Sequence, residues 1–290
     1  MTRSPSADTG PAWRPLWTWL RPHRGRVLAS MVLGCLASAF EVASLGLLMV
    51  LLSVSDAGLP ERLGPFSRVV PLLRGLSPNG QRAVLVGLIL GGIAIRGVMW
   101  WLAAALVGYA LGAINPAAIV ARIFHVDLRS SGSGNPGATN VGRVLGPKWG
   151  VMVGTLDVLK GFIPAVVFGM LGGQTAGEIA GVAAVLGHIT SPFLKGRGGK
   201  GVATTLGAIL GVQPLLAIPV LVAFGIGVAI WHRVGLGAVL AAITLLVSGV
   251  VGWRMGWTDQ ADMEFAIVLS VIVLVRHQRN VREAWRAFRT

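Results

Sequence analysis

The sequence predicts an all-α, polytopic membrane protein: a seven-helix core with an added N-terminal transmembrane region. Hydrophobic residues make up 54% of the 290 and charged residues only 12%, where a soluble domain carries about 25% charge. The apolar residues fall into long runs separated by short polar turns, and 41 glycines suit the close helix approach that lipid favours. The mean hydropathy of +0.73 agrees.

Residues 1–25 are polar, with Pro5, Pro11, Pro15 and Pro22 and the first of several arginines. The apolar run from Val27 to about Ser53 is too long and too far from the terminus for a cleaved signal peptide, and it exceeds the roughly 20 residues that span a bilayer. It reads as a retained helix with its basic N-terminal side in the cytoplasm. Residues 54–82 are punctuated by proline and glycine and read as a loop with short helices. Residues 83–124 are apolar but for Arg96, Asn115, Pro116 and Arg122. A continuous helix there would reach about 63 Å, twice the hydrocarbon thickness, so it must kink, project or break. Further helices are expected at about 148–171, 175–191, 201–211, 214–231, 235–252 and 263–275. The one at 201–211 is short enough to be a half-helix packed against protein rather than lipid. Met99 resembles a chain start inside the long run, which divides the sequence into an N-terminal extension, 1–98, and a core, 99–290.

Alternating crossings put the loops at 125–147 and 192–200, the turn at 232–234 and the tail from Arg276 on one face. That face carries Arg129, Arg143, Lys195, Arg197, Lys200, Arg233, Arg276, Arg279, Arg282, Arg286 and Arg289, against Arg254 alone on the other. The positive-inside rule makes the basic face cytoplasmic, and parity then gives eight crossings. The net charge of +14 is therefore a topology and anion-site signal. No aromatic-interleaved basic stretch of the kind that binds nucleic-acid strands is present. Cys35 is the single cysteine, which excludes an internal disulfide and a multi-cysteine metal site.

Two glycine-rich cationic loops share the basic face. Residues 129–143, RSSGSGNPGATNVGR, combine glycines with hydroxyls, amides and two terminal arginines. That chemistry holds an anion through backbone N–H groups and guanidinium forks. In 195–201, Lys195, Arg197 and Lys200 alternate with glycines just before a helix, whose N-terminus favours an anion. The tail supplies His277, Asn280 and Arg282. Within the membrane Asp157 and Lys160 lie three residues apart on a helix, close enough to pair; they could stitch helices or face substrate. His188 and His232 read as polar packing. Gly132, Gly134 and Gly137 satisfy G-x-G-x-x-G, but no strand precedes them and Pro136 interrupts, so a dinucleotide fold is excluded. Gly199-Lys200 lacks the other residues of a P-loop. No His or carboxylate cluster has metal-ligand spacing, so neither metal nor cofactor is expected.

Taken together, GSGNPGATNVGRVLG, DVLKG, GH with KGRGGKGVAT, and RHQRNVR, in this order over about residues 99–286, resemble the bacterial acyl-phosphate:glycerol-3-phosphate acyltransferases, the PlsY family. The resemblance implies a seven-helix enzyme of the bacterial cytoplasmic membrane with its site facing the cytoplasm. It would transfer a fatty acyl group from acyl phosphate to the 1-hydroxyl of glycerol 3-phosphate, releasing phosphate and lysophosphatidic acid for phospholipid synthesis. Its expected partners are those two substrates and the bilayer, without nucleic acid. By resemblance, Ser133, Gly134, Asn135, Thr139, Asn140 and Arg143 bind glycerol 3-phosphate. Lys195, Arg197, Gly198, Gly199 and Lys200 cradle the second phosphate, with Asn280 completing the site. His277, Lys200 and Arg143 are the expected catalytic groups. Arg197 stands where the family usually has Lys, and Gly235 where its SLG turn has Ser, which removes a possible substrate ligand. The N-terminal third faintly resembles the first helices of ABC exporters, on hydropathy and the WLRPHRGR stretch. A different reading is thus a degenerate acyltransferase body with a binding or transport-accessory role.

Overall fold

The computed structural model describes residues 24–54, 70–73, 75–280 and 282. Arg3, Arg14, Arg21, Arg286, Arg289 and most of the WLRPHRGR stretch lie outside them. The regular structure of the described residues is helical: α1 (Arg24–Leu52), α2 (Pro78–Ala113), α3 (Pro116–Ile123), α4 (Ala138–Leu145), α5 (Pro147–Gly172), α6 (Gln174–Ile189), α7 (Val202–Val212), α8 (Pro214–Trp231), α9 (Val234–Arg254) and α10 (Gln260–Arg276), with two further short turns at Val70–Leu73 and Pro192–Leu194.

The long run at 83–124 breaks where its sequence suggests. Helix α2 ends at Ala113, and Asn115 caps α3 by accepting from the Ala118 N–H at 2.8 Å. Pro116, lacking an N–H, sits where a helix start leaves donors unpaired. The proposed division at 98/99 falls inside continuous α2 rather than in a linker. Helix α10 starts at Gln260, three residues before the expected 263. There the side chains of Asp259 and Asp262 form a reciprocal capping box that satisfies donors at the helix start.

Six stretches are long and apolar enough to cross a membrane: Leu28–Leu52, Pro78–Ile123, Pro147–Gly172, Gln174–Leu194, Pro214–Trp231 and Val234–Arg254. The remaining two of the eight expected crossings fall on α10, with 17 residues, and α7, with 11. At about 16 Å, α7 covers half of the hydrocarbon thickness of about 30 Å. It is enclosed by protein, packing on α5, α6 and α8, so its ends meet polar protein groups rather than lipid.

Backbones approach closely where side chains vanish. A Cβ at Gly108 or Gly112 of α2 would fall on the carbonyl oxygens of Ala180 or Ala184 in α6. Gly161 of α5 and Gly207 of α7 meet each other's helices in the same way. The densest apolar cluster joins Val185, Ala208, Ile209, Ala217, Leu245, Phe265 and Leu269 across α6–α10. Helix α1 packs on α2, joined by an ion pair of 2.6 Å between Glu41 and Arg96, while Met31, Val42, Met49 and Leu52 remain exposed.

Gly112→Val should cost about 1–3 kcal/mol or more of stability through overpacking against α6, read as a lowered thermal midpoint in detergent. An unchanged midpoint would contradict the close α2–α6 contact.

Candidate functional site

The first glycine-rich loop leaves α3 and enters α4. It opens on a turn in which Asp127 Oδ1 accepts from the Arg129 N–H at 2.9 Å. That bond, with help from the Ser130 hydroxyl, holds the Asp127 carboxyl below its ordinary range. Asn140 organises the rest. Fully buried on α4, it accepts from the Ser133 N–H at 2.7 Å and donates to the carbonyls of Leu128 and Ser131, both at 3.0 Å. Gly132, at φ +60°, lies against this amide, where a Cβ would fall on Asn140 Oδ1. Asn140 thus spends its side-chain amide bracing the loop. Arg129 also turns inward, donating to the Arg197 carbonyl of the second loop at 2.7 Å.

The second loop is folded back on the end of α6. The Gly198 N–H donates to the Ile189 carbonyl at 2.8 Å and the Gly199 N–H to the His188 carbonyl at 3.2 Å. From α10, Arg276 Nη2 donates to the Gly199 carbonyl at 3.2 Å. Ser191 ties the segment to the Ala113 carbonyl at 2.6 Å. Lys200 reaches across to Asn280 Oδ1 at 2.7 Å.

These elements surround one cavity of about 390 Å³. Of the expected residues, Ser133, Asn135, Thr139, Asn140, Arg143, Lys200, His277 and Asn280 line it. Gly134, Lys195, Arg197, Gly198 and Gly199 do not; the Lys195 and Arg197 side chains are exposed, and Gly198 and Gly199 are buried behind the wall. Asp157, His188 and Thr205 do line it, although His188 reads as packing in the sequence and Thr205 carries no motif signal. The Thr205 hydroxyl has no hydrogen-bond partner among the described residues.

Two helix N-termini open onto this cavity, and neither carries a side-chain cap. Gly137 is the N-cap residue of α4 and Gly201 that of α7, and Gly137, Ala138, Gly201 and Val202 all face the space. First-turn N–H groups without intrahelical partners, backed by the helix dipole, favour an anion at each. Arg143 and Lys200 add full charges beside them. The far half of the cavity is apolar, walled by Leu206, Ile209, Val220, Leu221, Phe224 and Leu245. The arrangement offers two anion cradles continuous with an aliphatic slot.

His277 is almost wholly buried, with Nδ1 2.8 Å from the Val273 carbonyl. Burial, then the positive charges of Lys200 and Arg276, push its pKa below the ordinary value, despite the carbonyl. In the neutral ring Nδ1–H donates to Val273, which leaves the Nε2 lone pair free for a proton. Gly235 makes room for the opposite wall, since a Cβ there would fall on the Asn280 amide. The missing Ser side chain therefore leaves Asn280 space to meet Lys200.

At the other end of the bundle, Glu178, Asp259 and Asp262 bring ligand atoms within 4.8 Å of one another, a grouping their sequence spacing hides. Asp262 accepts from Gln174 at 2.8 Å and Gln213 at 2.9 Å, tying the start of α10 to α6 and α7.

The glycerol-3-phosphate acyltransferase family model matches residues 102–287. Proteins of that description from Thermoanaerobacter pseudethanolicus (37% identical, 63% of this chain, 91% of that protein), Aquifex aeolicus (39%, 60% and 89%) and Geobacter sulfurreducens (41%, 61% and 89%) are similar to the chain. Two crystal structures of PlsY, an integral membrane glycerol 3-phosphate acyltransferase, also resemble it. The glycerol 3-phosphate form has a TM-score of 0.59 at 36% identity, and the lysophosphatidic acid form 0.57 at 34%; each match covers 64% of this chain and 92% of the other. These likenesses give the exporter resemblance of residues 1–98 no support.

Asn140→Ala should unpair buried backbone groups of the loop at about 1–3 kcal/mol each, lowering both the thermal midpoint and affinity for glycerol 3-phosphate; retention of both would remove Asn140 as the brace. For His277, whose ordinary pKa is 6.5, the lowered folded value means the neutral ring persists below pH 6.5. Its contribution to stability is complete above that pH and declines as pH falls through the folded pKa. As far as His277 is concerned, the thermal midpoint should therefore fall on the acid side only below pH 6.5, and a His277→Gln variant that keeps the wild-type loss of midpoint there would contradict the lowered pKa.

Proposed function

The chain belongs to the glycerol-3-phosphate acyltransferase family, and from that premise we propose that its two cradles hold the two phosphates of an acyl transfer whose donor is a fatty acyl phosphate. It is an integral multi-pass membrane enzyme of phospholipid synthesis that acylates glycerol 3-phosphate to lysophosphatidic acid. The observation that carries the donor assignment is the pairing of two uncapped helix N-termini with an aliphatic slot in one cavity. One phosphate belongs to the acceptor; the second cradle, beside the slot, suits a phosphate attached to an acyl chain.

The α4 cradle, with Ser133, Asn135, Thr139 and Arg143, binds glycerol 3-phosphate. The α7 cradle, with Lys200 and the N–H groups after Gly201, binds the donor phosphate, and the acyl chain enters between α7, α8 and α9. An acyl phosphate is a mixed anhydride, so the acceptor hydroxyl attacks its carbonyl without a covalent enzyme intermediate. The C–O bond to glycerol forms, the bond to the leaving phosphate breaks, and the hydroxyl proton passes to His277 Nε2 or to a phosphate oxygen. The protein's work is alignment and stabilisation of charge on the leaving phosphate. The positive-inside rule, applied to the basic loops, supports a cavity that opens to the cytoplasm from a bacterial inner membrane. Residues 99–290 form the catalytic core and 1–98 an extension; because the boundary lies in α2, the core keeps less than half of that helix.

Purified protein given palmitoyl phosphate and glycerol 3-phosphate should release phosphate and form lysophosphatidic acid; no release above background would overturn the donor assignment. Arg143→Ala and Lys200→Ala should each lower kcat/KM by about 100-fold or more with the fold intact, and full rates in both would contradict the two-cradle assignment.

A further inference from the structure

In the cavity wall Asp157 and His188, with Lys160 behind them, are buried together. Asp157 Oδ1 lies 2.9 Å from Lys160 Nζ and 3.4 Å from His188 Nδ1. The ion-paired lysine and the histidine, whose 3.4 Å approach is a packing contact rather than a hydrogen bond, lead to different loops. Lys160 donates to the Ile114 carbonyl at 2.7 Å, at the break between α2 and α3. The next residue, Asn115, donates through Nδ2 to the Pro136 carbonyl at 3.3 Å, inside the first cradle. On the other side, His188 lays its ring on the second loop: a Cβ at Gly199 would fall on His188 Nε2, and the His188 carbonyl accepts from the Gly199 N–H.

We propose that Asp157 is a positioning residue that sets the separation of the two phosphate cradles, reaching the first through Lys160 and Asn115 and the second through His188 and Gly199. A carboxylate is an unsuitable phosphate ligand, because two anions in contact repel. Its charge is instead answered by Lys160, and its geometry is fixed on α5, a helix that belongs to neither loop. Nucleophile and acyl carbonyl must meet within a few tenths of an ångström, and a displacement of about 1 Å can cost about 100-fold in rate. One rigid group that touches both supports meets this requirement more simply than two independent ones.

The inference rests on the two-cradle reading, and the test separates them. In the full-length protein, His188→Ala should raise KM for acyl phosphate about tenfold or more while KM for glycerol 3-phosphate stays within about twofold. Asp157→Asn should raise both. The double variant should be no worse than Asp157→Asn alone, because residues acting through one chain are non-additive. Vmax should fall along with these changes as the two cradles lose their spacing; if both KM values are unchanged, or if the effects multiply, the proposal is wrong. Should His188→Ala not fold, His188→Gln, which keeps an amide in the ring's place, is held to the same KM split. Calorimetric titration of glycerol 3-phosphate judges the proposal even if wild type fails to use acyl phosphate, a failure that would count against the donor assignment alone. Asp157→Asn must weaken binding about fivefold or more and His188→Ala less than about twofold, and any other pattern overturns it.

Discussion

Two bare helix starts facing one cavity are the constraint on which the rest of this structure depends. Two phosphate charges a few ångströms apart repel by about 4 kcal/mol per unit pair at a surface-like dielectric, so holding both needs positive potential at fixed places. Helices α4 and α7 supply it from backbone groups whose direction the fold sets, and Gly137 and Gly201 leave those groups uncapped. Arg143 and Lys200 add charge, but the amide groups set the geometry.

Much of the surrounding polar chemistry holds these starts still. Asn140, Arg129, Arg276, Ser191 and Lys160 all spend side-chain donors on backbone carbonyls. The bonds of Asn140 to Leu128 and of Ser191 to Ala113 are buried away from water, where an unpaired partner is costly. The shortness of α7 belongs to the same design: a helix that starts mid-protein places its N-terminus at the cavity, and the glycines of α5 and α7 allow the close packing that encloses it.

The sequence made the bundle largely legible, because long apolar runs and proline or charged ends leave little choice of boundary. Helix α8 runs over 214–231 as its pattern predicts, with Pro214 at one end and His232-Arg233 at the other. Helix α10 begins earlier because the polar Asp259-Gln260-Ala261-Asp262 stretch reads as loop until its two carboxylates are seen to cap one another. At the site, the loops and most of their ligand candidates were legible from composition, while direction was not. Asn140 points into its own loop, and Lys195 and Arg197 point away from the cavity. The partnership of Asp157 with His188 joins residues on different helices, which no local period reveals. Gly235 reads as a lost ligand in the sequence and as room for Asn280 in the structure.

On the proposed reading, the cavity holds both phosphates at once, in separate cradles. That reading is tested most directly by titrating glycerol 3-phosphate into the full-length protein saturated with a non-reactive acyl phosphonate, which keeps the donor's phosphate-like group and chain. The account predicts that glycerol 3-phosphate still binds at one equivalent, and that Arg143→Ala abolishes this binding while leaving acyl phosphonate affinity within about threefold. Mutual exclusion of the two ligands would contradict it.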